Sequence, residues 1–256
     1  MFLLSRRLKR VAIFPLAMAV AFLLYLLLMP DVSRLKTENP RRTSFMEIHE
    51  RDARKRGQSF SIYQVWVPFA LISPTLVKAV LIAEDDKFWS HEGFDYQAMQ
   101  KALEKDIKSG KFKLGGSTIS QQLARNLYLT PEKSLLRKAR EALITWRIER
   151  ALSKKRILEL YLNVAEWGKG IYGIEAASRH YYGKASLSLT PEESARLAAV
   201  LPQPRKYSPI GNQRYVVHRS ELIYDIMVRR RVVVPEYEER QGEPQVSDAL
   251  PVPGGQ

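Results

Sequence analysis

Residues 11–29 (VAIFPLAMAVAFLLYLLLM) form an uncharged apolar run of 19 residues, and no other feature limits the options of the chain so strongly. At 1.5 Å per residue it makes a helix about 28 Å long, enough to cross the hydrocarbon core of a bilayer. Arg6, Arg7, Lys9 and Arg10 precede it, so the positive-inside rule keeps the N-terminus cytoplasmic and places everything after Pro30 outside. A cleaved signal peptide has a shorter apolar region ending in small residues. Leu, Tyr and Met stand at that end here, which favours an uncleaved anchor, and Pro15 is tolerated in a membrane helix.

The rest of the 256 residues has room for one domain with a sizeable core. Lys and Arg number 41 against 27 Asp and Glu, a formal +14, and such an excess attracts nucleic acid, anionic headgroups or phosphorylated substrates without choosing among them. The absence of Cys excludes disulfides, thiolate metal sites and a Cys nucleophile, and the four His lack HExxH spacing. The expected layout is a basic cytoplasmic segment (1–10), the anchor (11–29), a juxtamembrane stalk (30–60), a mainly α domain (61–232) and a disordered tail (233–256). The stalk is basic and either rests on headgroups or is merely solvated. The tail is rich in Pro, Gly and acids and has almost no apolar periodicity. Within the domain, residues 61–69 (SIYQVWVPF) are β-like. Ser73-Pro74, Thr130-Pro131 and Thr190-Pro191 each put a hydroxyl N-cap before a proline, and Glu193 completes a capping box with Thr190.

Four segments carry residues suited to chemistry. In residues 81–95 (LIAEDDKFWSHEGFD) a helix is expected to end near Glu84, where the negative end of the helix dipole disfavours ionisation and pushes a carboxylate toward the range of a general base. The plainer reading is a solvated helix end. In residues 110–126 (GKFKLGGSTISQQLARN) a Gly- and Lys-rich loop enters a helix opened by Ser117 or Thr118. Its free N–H groups favour phosphate, and Ser117, Gln121 and Arg125 line one face at intervals of four. An ordinary capped surface helix fits the same residues. On the helix expected from Thr130, Lys133, Arg137 and Glu141 recur every four residues beside Lys138 and Arg140, while Leu136, Ala139, Leu143 and Trp146 form the core face. A surface ion pair explains Arg137 and Glu141 equally well. In residues 153–184, Gly168, Gly170 and Gly173 allow a tight turn, and Tyr172 either faces a sugar ring or packs in the core.

In order and spacing these segments resemble the motifs of glycosyltransferase family 51. Its EDxxFxxHxG motif is met by Glu84, Asp85, Phe88, His91 and Gly93, and its GGSTxxQQxxKN motif by Gly115, Gly116, Ser117, Thr118, Gln121, Gln122 and Asn126. RKxxE is met by Arg137, Lys138 and Glu141, and KxxILExYLN by Ile157, Leu158, Glu159, Tyr161, Leu162 and Asn163, its lysine being open among Lys154, Lys155 and Arg156. Arg125 stands where the family usually has Lys, which keeps the charge but alters the geometry. The likeness spans residues 65–210. It implies a lysozyme-like α-helical lobe with a smaller membrane-associated jaw, and an inverting transfer that polymerises lipid II on a growing glycan chain. Glu84 would be the base. Ser117, Thr118, Gln121, Gln122, Arg125, Lys133, Arg137 and Lys138 would serve substrate and pyrophosphate. Glu141 would assist the leaving group directly, through a divalent cation such as Mg or Mn, or by orienting the basic residues. No cofactor is obligatory on this reading, and the partners are lipid II, the glycan, the membrane and cell-wall synthesis or division proteins, with no nucleic acid.

Such a reaction needs a carboxylate base, cations for a developing diphosphate charge, and a membrane. All three are legible in the residues. In the loop, Phe112 and Leu114 are placed to enter the bilayer while Lys111 and Lys113 meet headgroups. Ser33-Arg34-Leu35-Lys36 fits SxxK by chance, without SxN or KTG partners, so the enzyme is expected to be monofunctional. A glycan-cleaving enzyme also uses a Glu in a helical lobe but needs neither a cationic row nor an anchor. A basic scaffold or nucleic-acid binder is opposed by the outward topology and the lack of a nucleic-acid motif.

Overall fold

The computed structural model describes residues 29–109, 116–132 and 134–233. Residues 11–28 of the expected anchor, the loop 110–115 with Lys111, Phe112, Lys113, Leu114 and Gly115, the single residue Lys133, and the tail from 234 lie outside the described residues. Among the described residues no helix is long and apolar enough to cross a membrane. The fold is mainly α. In chain order the helices are α1 (Ser44–Lys55), α2 (Pro74–Glu84), α3 (Tyr96–Ser109), α4 (Ile119–Tyr128), α5 (Leu135–Ala151), α6 (Lys154–Val164), α7 (Ile174–Tyr182), α8 (Pro191–Val200) and α9 (Arg214–Arg229), with short strands β1 (Tyr63–Gln64), β2 (Glu166–Gly168) and β3 (Ile171–Tyr172). They form two compact units, one from the described parts of Met1–Ile62 and Lys87–Ala165, the other from Tyr63–Asp86 and the described part of Glu166–Gln256.

The first unit is organised on α4, which packs against α1, α5 and α6. Ile119, Leu123, Ala124 and Leu127 repeat at helical spacing and are all buried, each large side chain contributing about 1.5–3 kcal/mol. A capping box starts the helix: the Thr118 hydroxyl accepts from the Gln121 N–H, and the Gln121 carbonyl oxygen accepts from the Thr118 N–H. Thr118 also donates to the Gly93 carbonyl at 2.7 Å, which ties the loop of the first motif to the start of α4. Gly93 has φ +90°, and a Cβ there would come within 2.9 Å of Glu149 Cγ, so both backbone and space require glycine.

Three features of this unit differ from the sequence-based expectation. Part of the stalk is folded: Thr43 caps α1, whose Met46 and Ala53 are buried as the helix packs on α4. Helix α5 starts after Ser134, whose hydroxyl accepts from the Arg137 N–H at 3.1 Å, and not at Thr130-Pro131. Its inward face carries Glu141, Ile144, Thr145 and Ile148, whereas Leu136 is 75 % and Trp146 50 % exposed, and Ala139 is exposed too. The periodicity of apolar residues picked the wrong side because the side facing α4 and α6 is half polar.

The second unit holds a three-stranded sheet in the order β1-β3-β2. Strand β3 is parallel to β1 and antiparallel to β2, with a register shift between Glu166 and Gly168. Only Tyr63 and Gln64 of the β-like stretch pair; it continues through Pro68, which has no N–H to give a ladder, into a 3-10 turn at Phe69–Leu71. Gly168 has no room for a side chain, since a Cβ would collide with the Tyr181 hydroxyl. Helix α8, opened by the Thr190–Glu193 capping box, packs on α2 and α9. Ser73 stands at the N-cap of α2, but its hydroxyl pairs with the Thr75 hydroxyl at 2.7 Å and makes no cap bond. In α2, Leu76, Val77, Ala79, Val80 and Leu81 are buried, which fixes the end of the helix and its last residue, Glu84.

Candidate active site

In the first unit three cations surround one buried carboxylate. Glu141 is 0 % exposed and projects from the inward face of α5. Its Oε2 accepts from Arg137 Nη1 at 2.6 Å and stands 3.7 Å from Arg125 Nη1, while Oε1 accepts from Lys138. The spacing follows from the helix: Arg137 and Lys138 lie four and three residues before Glu141 on α5. Arg125 comes from the last turn of the neighbouring α4. Lys138 reaches on to the Ser117 hydroxyl at 3.4 Å. The three cationic side chains are 27 %, 16 % and 37 % exposed, so a cluster with two net positive charges opens to solvent over a carboxylate that is hidden. Such a cluster presents positive charge to an anion, and its carboxylate lies against both guanidinium groups.

Other residues of the second motif do structural work. Gln121 is buried in the capping box. Gln122 donates to the Ser117 carbonyl at 3.5 Å and accepts from the Tyr161 hydroxyl at 3.0 Å. Thr118 is the cap itself, which settles the choice between Ser117 and Thr118. Of the candidate lysines of the fourth motif, Lys154 pairs with Glu149 at 2.8 Å and lies over the Phe88 ring at 4.6 Å, and Arg156 pairs with Glu159.

In the second unit Glu84 is the last residue of α2, its side chain 11 % exposed. Arg219 of α9 donates from Nη2 to the Ala83 carbonyl at 3.0 Å and to Glu84 Oε1 at 3.4 Å. Asp86 takes both guanidinium nitrogens of Arg230, Nη2 at 2.9 Å. Sequence reasoning missed Arg219 entirely. Tyr172 is buried, 1 % exposed, so the sugar-facing reading of this residue is corrected to core packing, and burial holds its hydroxyl far above the ordinary range. Glu166 on β2, also unforeseen, is pushed up to about 7 by burial, against the Gly170 N–H and Arg205.

Among the described residues no three His, Asp or Glu side chains converge as a metal site. The donors around Glu141 do not suit a divalent ion, because the carboxylate is flanked by three positive charges.

The chain belongs to the transglycosylase family, whose profile matches residues 53–228, and is a glycosyltransferase. It is similar to proteins named biosynthetic peptidoglycan transglycosylase. That of Aromatoleum aromaticum is 50 % identical over 190 residues, covering 73 % of this chain and 83 % of the relative. That of Azoarcus sp. is 48 % identical over 210 residues, 80 % and 91 % of the two chains. That of Dechloromonas aromatica is 53 % identical over 169 residues, 66 % and 73 %.

Proposed function

We propose that this peptidoglycan glycosyltransferase polymerises lipid II into glycan strands at the outer face of the bacterial cytoplasmic membrane. Glu84 takes the proton of the acceptor 4-hydroxyl as that oxygen attacks the donor anomeric carbon. The bond to the lipid diphosphate breaks with inversion, and undecaprenyl pyrophosphate leaves carrying the negative charge. Arg125, Arg137 and Lys138, with Ser117 and Lys133, receive that charge. Glu141 acts by holding the cations in register. The observation that carries the reading is the cation cluster around Glu141, since cleavage of a glycan by water releases no diphosphate and has no use for it.

Membrane association is supported by two features. Residues 11–29 are apolar and follow a basic segment. On α3, Tyr96, Met99, Leu103 and Ile107 recur at intervals of three and four and are exposed, as are Leu135 and Leu136 at the start of α5. An apolar helix face open to solvent suits insertion among headgroups and acyl chains.

Purified full-length chain is to be incubated with lipid II and, separately, with preformed glycan. Polymer from the first and an unchanged second are expected. Shortened glycan without polymer would replace synthesis with cleavage.

A further inference from the structure

The last turn of α2 leaves carbonyls with no partner inside the helix, and α9 answers one of them. Arg219 Nη2 bonds the Ala83 carbonyl at 3.0 Å, and the same nitrogen stands 3.4 Å from Glu84 Oε1. The backbone contact fixes where the cation sits, and the carboxylate is presented with a charge at a set place. Two residues further on, Asp86 is gripped by Arg230, so α9 meets the segment 83–86 at two points. The two contacts differ in strength. Arg230 and Asp86 are 50 % and 49 % exposed, and an ion pair so solvated contributes little. Arg219 and Glu84 are 31 % and 11 % exposed, so water screens that pair less.

We propose that Arg219 is a positioning residue for Glu84, holding the carboxylate oriented through a contact anchored on the helix backbone. The proposal rests on the reading of Glu84 as the general base. Arg219 touches no reacting atom, and removing it misplaces the base without removing it, a change that costs about tenfold or more in turnover.

Full-length wild type, Arg219→Gln, Arg219→Lys, Arg230→Gln, Glu84→Gln and the double variant Arg219→Gln/Glu84→Gln are to be assayed for lipid II polymerisation, with kcat and KM separated. Arg219→Gln is expected to lower kcat about tenfold with KM for lipid II unchanged, and Arg219→Lys to recover part of the loss. The double variant is expected to be no slower than Glu84→Gln alone, because a residue acting through the carboxylate has nothing left to position. If Arg219→Gln slows the Glu84→Gln enzyme by the same factor as the wild type, Arg219 acts on the fold at large and the proposal is overturned. A loss from Arg230→Gln as large as that from Arg219→Gln overturns it too. Should Arg219→Gln not fold, the same crossed comparison is read with Arg219→Lys, whose deficit must vanish beside Glu84→Gln. Glu84→Gln at wild-type rate would remove the base reading itself, whereas a slow Glu84→Gln with a normal Arg219→Gln sinks the positioning role alone.

Discussion

Two glutamates end up in opposite circumstances. Glu141 lies wholly out of solvent with both oxygens engaged by cations from α4 and α5, whereas Glu84 closes a helix, keeps part of its side chain in solvent and meets the Arg219 guanidinium at 3.4 Å. A carboxylate closed off from solvent among three cations serves to anchor them; one at a helix end that keeps solvent access is open to a substrate hydroxyl. Charge alone would have made the two interchangeable, and it is burial that separates them.

The comparison can be broken at four places. Glu84→Gln is expected to lower polymerisation at least ~10²-fold with the unfolding temperature nearly unchanged, and near-normal turnover would transfer the base to another group. Glu141→Gln is expected to act in the other manner, costing about 2–3 kcal/mol of stability because the cations lose their buried counter-charge, at the low end since they are partly exposed. Thermal or chemical denaturation measures it, and an unchanged midpoint would contradict the anchor role. Arg125→Ala should raise KM for the lipid-linked donor about tenfold, the worth of one charge-assisted contact, and leave saturation by acceptor glycan alone; equal effects on both substrates would argue against a diphosphate contact. The fourth place is Glu166, which touches stability and not turnover and is lifted by burial from its ordinary 4.5 to about 7. Its protonated form is favoured by folding, so its contribution is fully present below about pH 4.5 and is lost as pH rises toward 7, by at most about 3 kcal/mol. Glu166→Gln is expected to flatten the pH dependence of the unfolding midpoint across that window, and an unaltered slope would place the titration elsewhere.

Much of the first unit was legible because its signals are local. The hydroxyl before ISQQLARN and the four-residue spacing of Arg137 and Glu141 lie within one or two helical turns, though the part of Gln121 in the cap showed only in the structure. The end of α2 at Glu84 followed from its apolar repeat. Local reading failed where the partner side decides. The Thr130-Pro131 pair has every mark of a helix start, yet Ser134 performs the capping, and nothing within the segment ranks one hydroxyl above the other. The core face of α5 was misjudged because Glu141 and Thr145, not Leu136 and Trp146, are buried. A charge can occupy a core position when three partners await it, and those partners are visible only in three dimensions. Arg219 was beyond reach altogether, since its contacts with Ala83 and Glu84 span more than half the chain and no repeat on α9 announces them.

The division of labour between the carboxylate and the cation cluster is tested most directly by measuring turnover on lipid II and affinity for inorganic pyrophosphate in the same preparations of Glu84→Gln and Arg137→Gln. The account predicts that Glu84→Gln loses turnover while binding pyrophosphate as the wild type does, and that Arg137→Gln loses affinity for pyrophosphate. Glu84→Gln binding pyrophosphate as weakly as Arg137→Gln, or turning over at the wild-type rate, would contradict it.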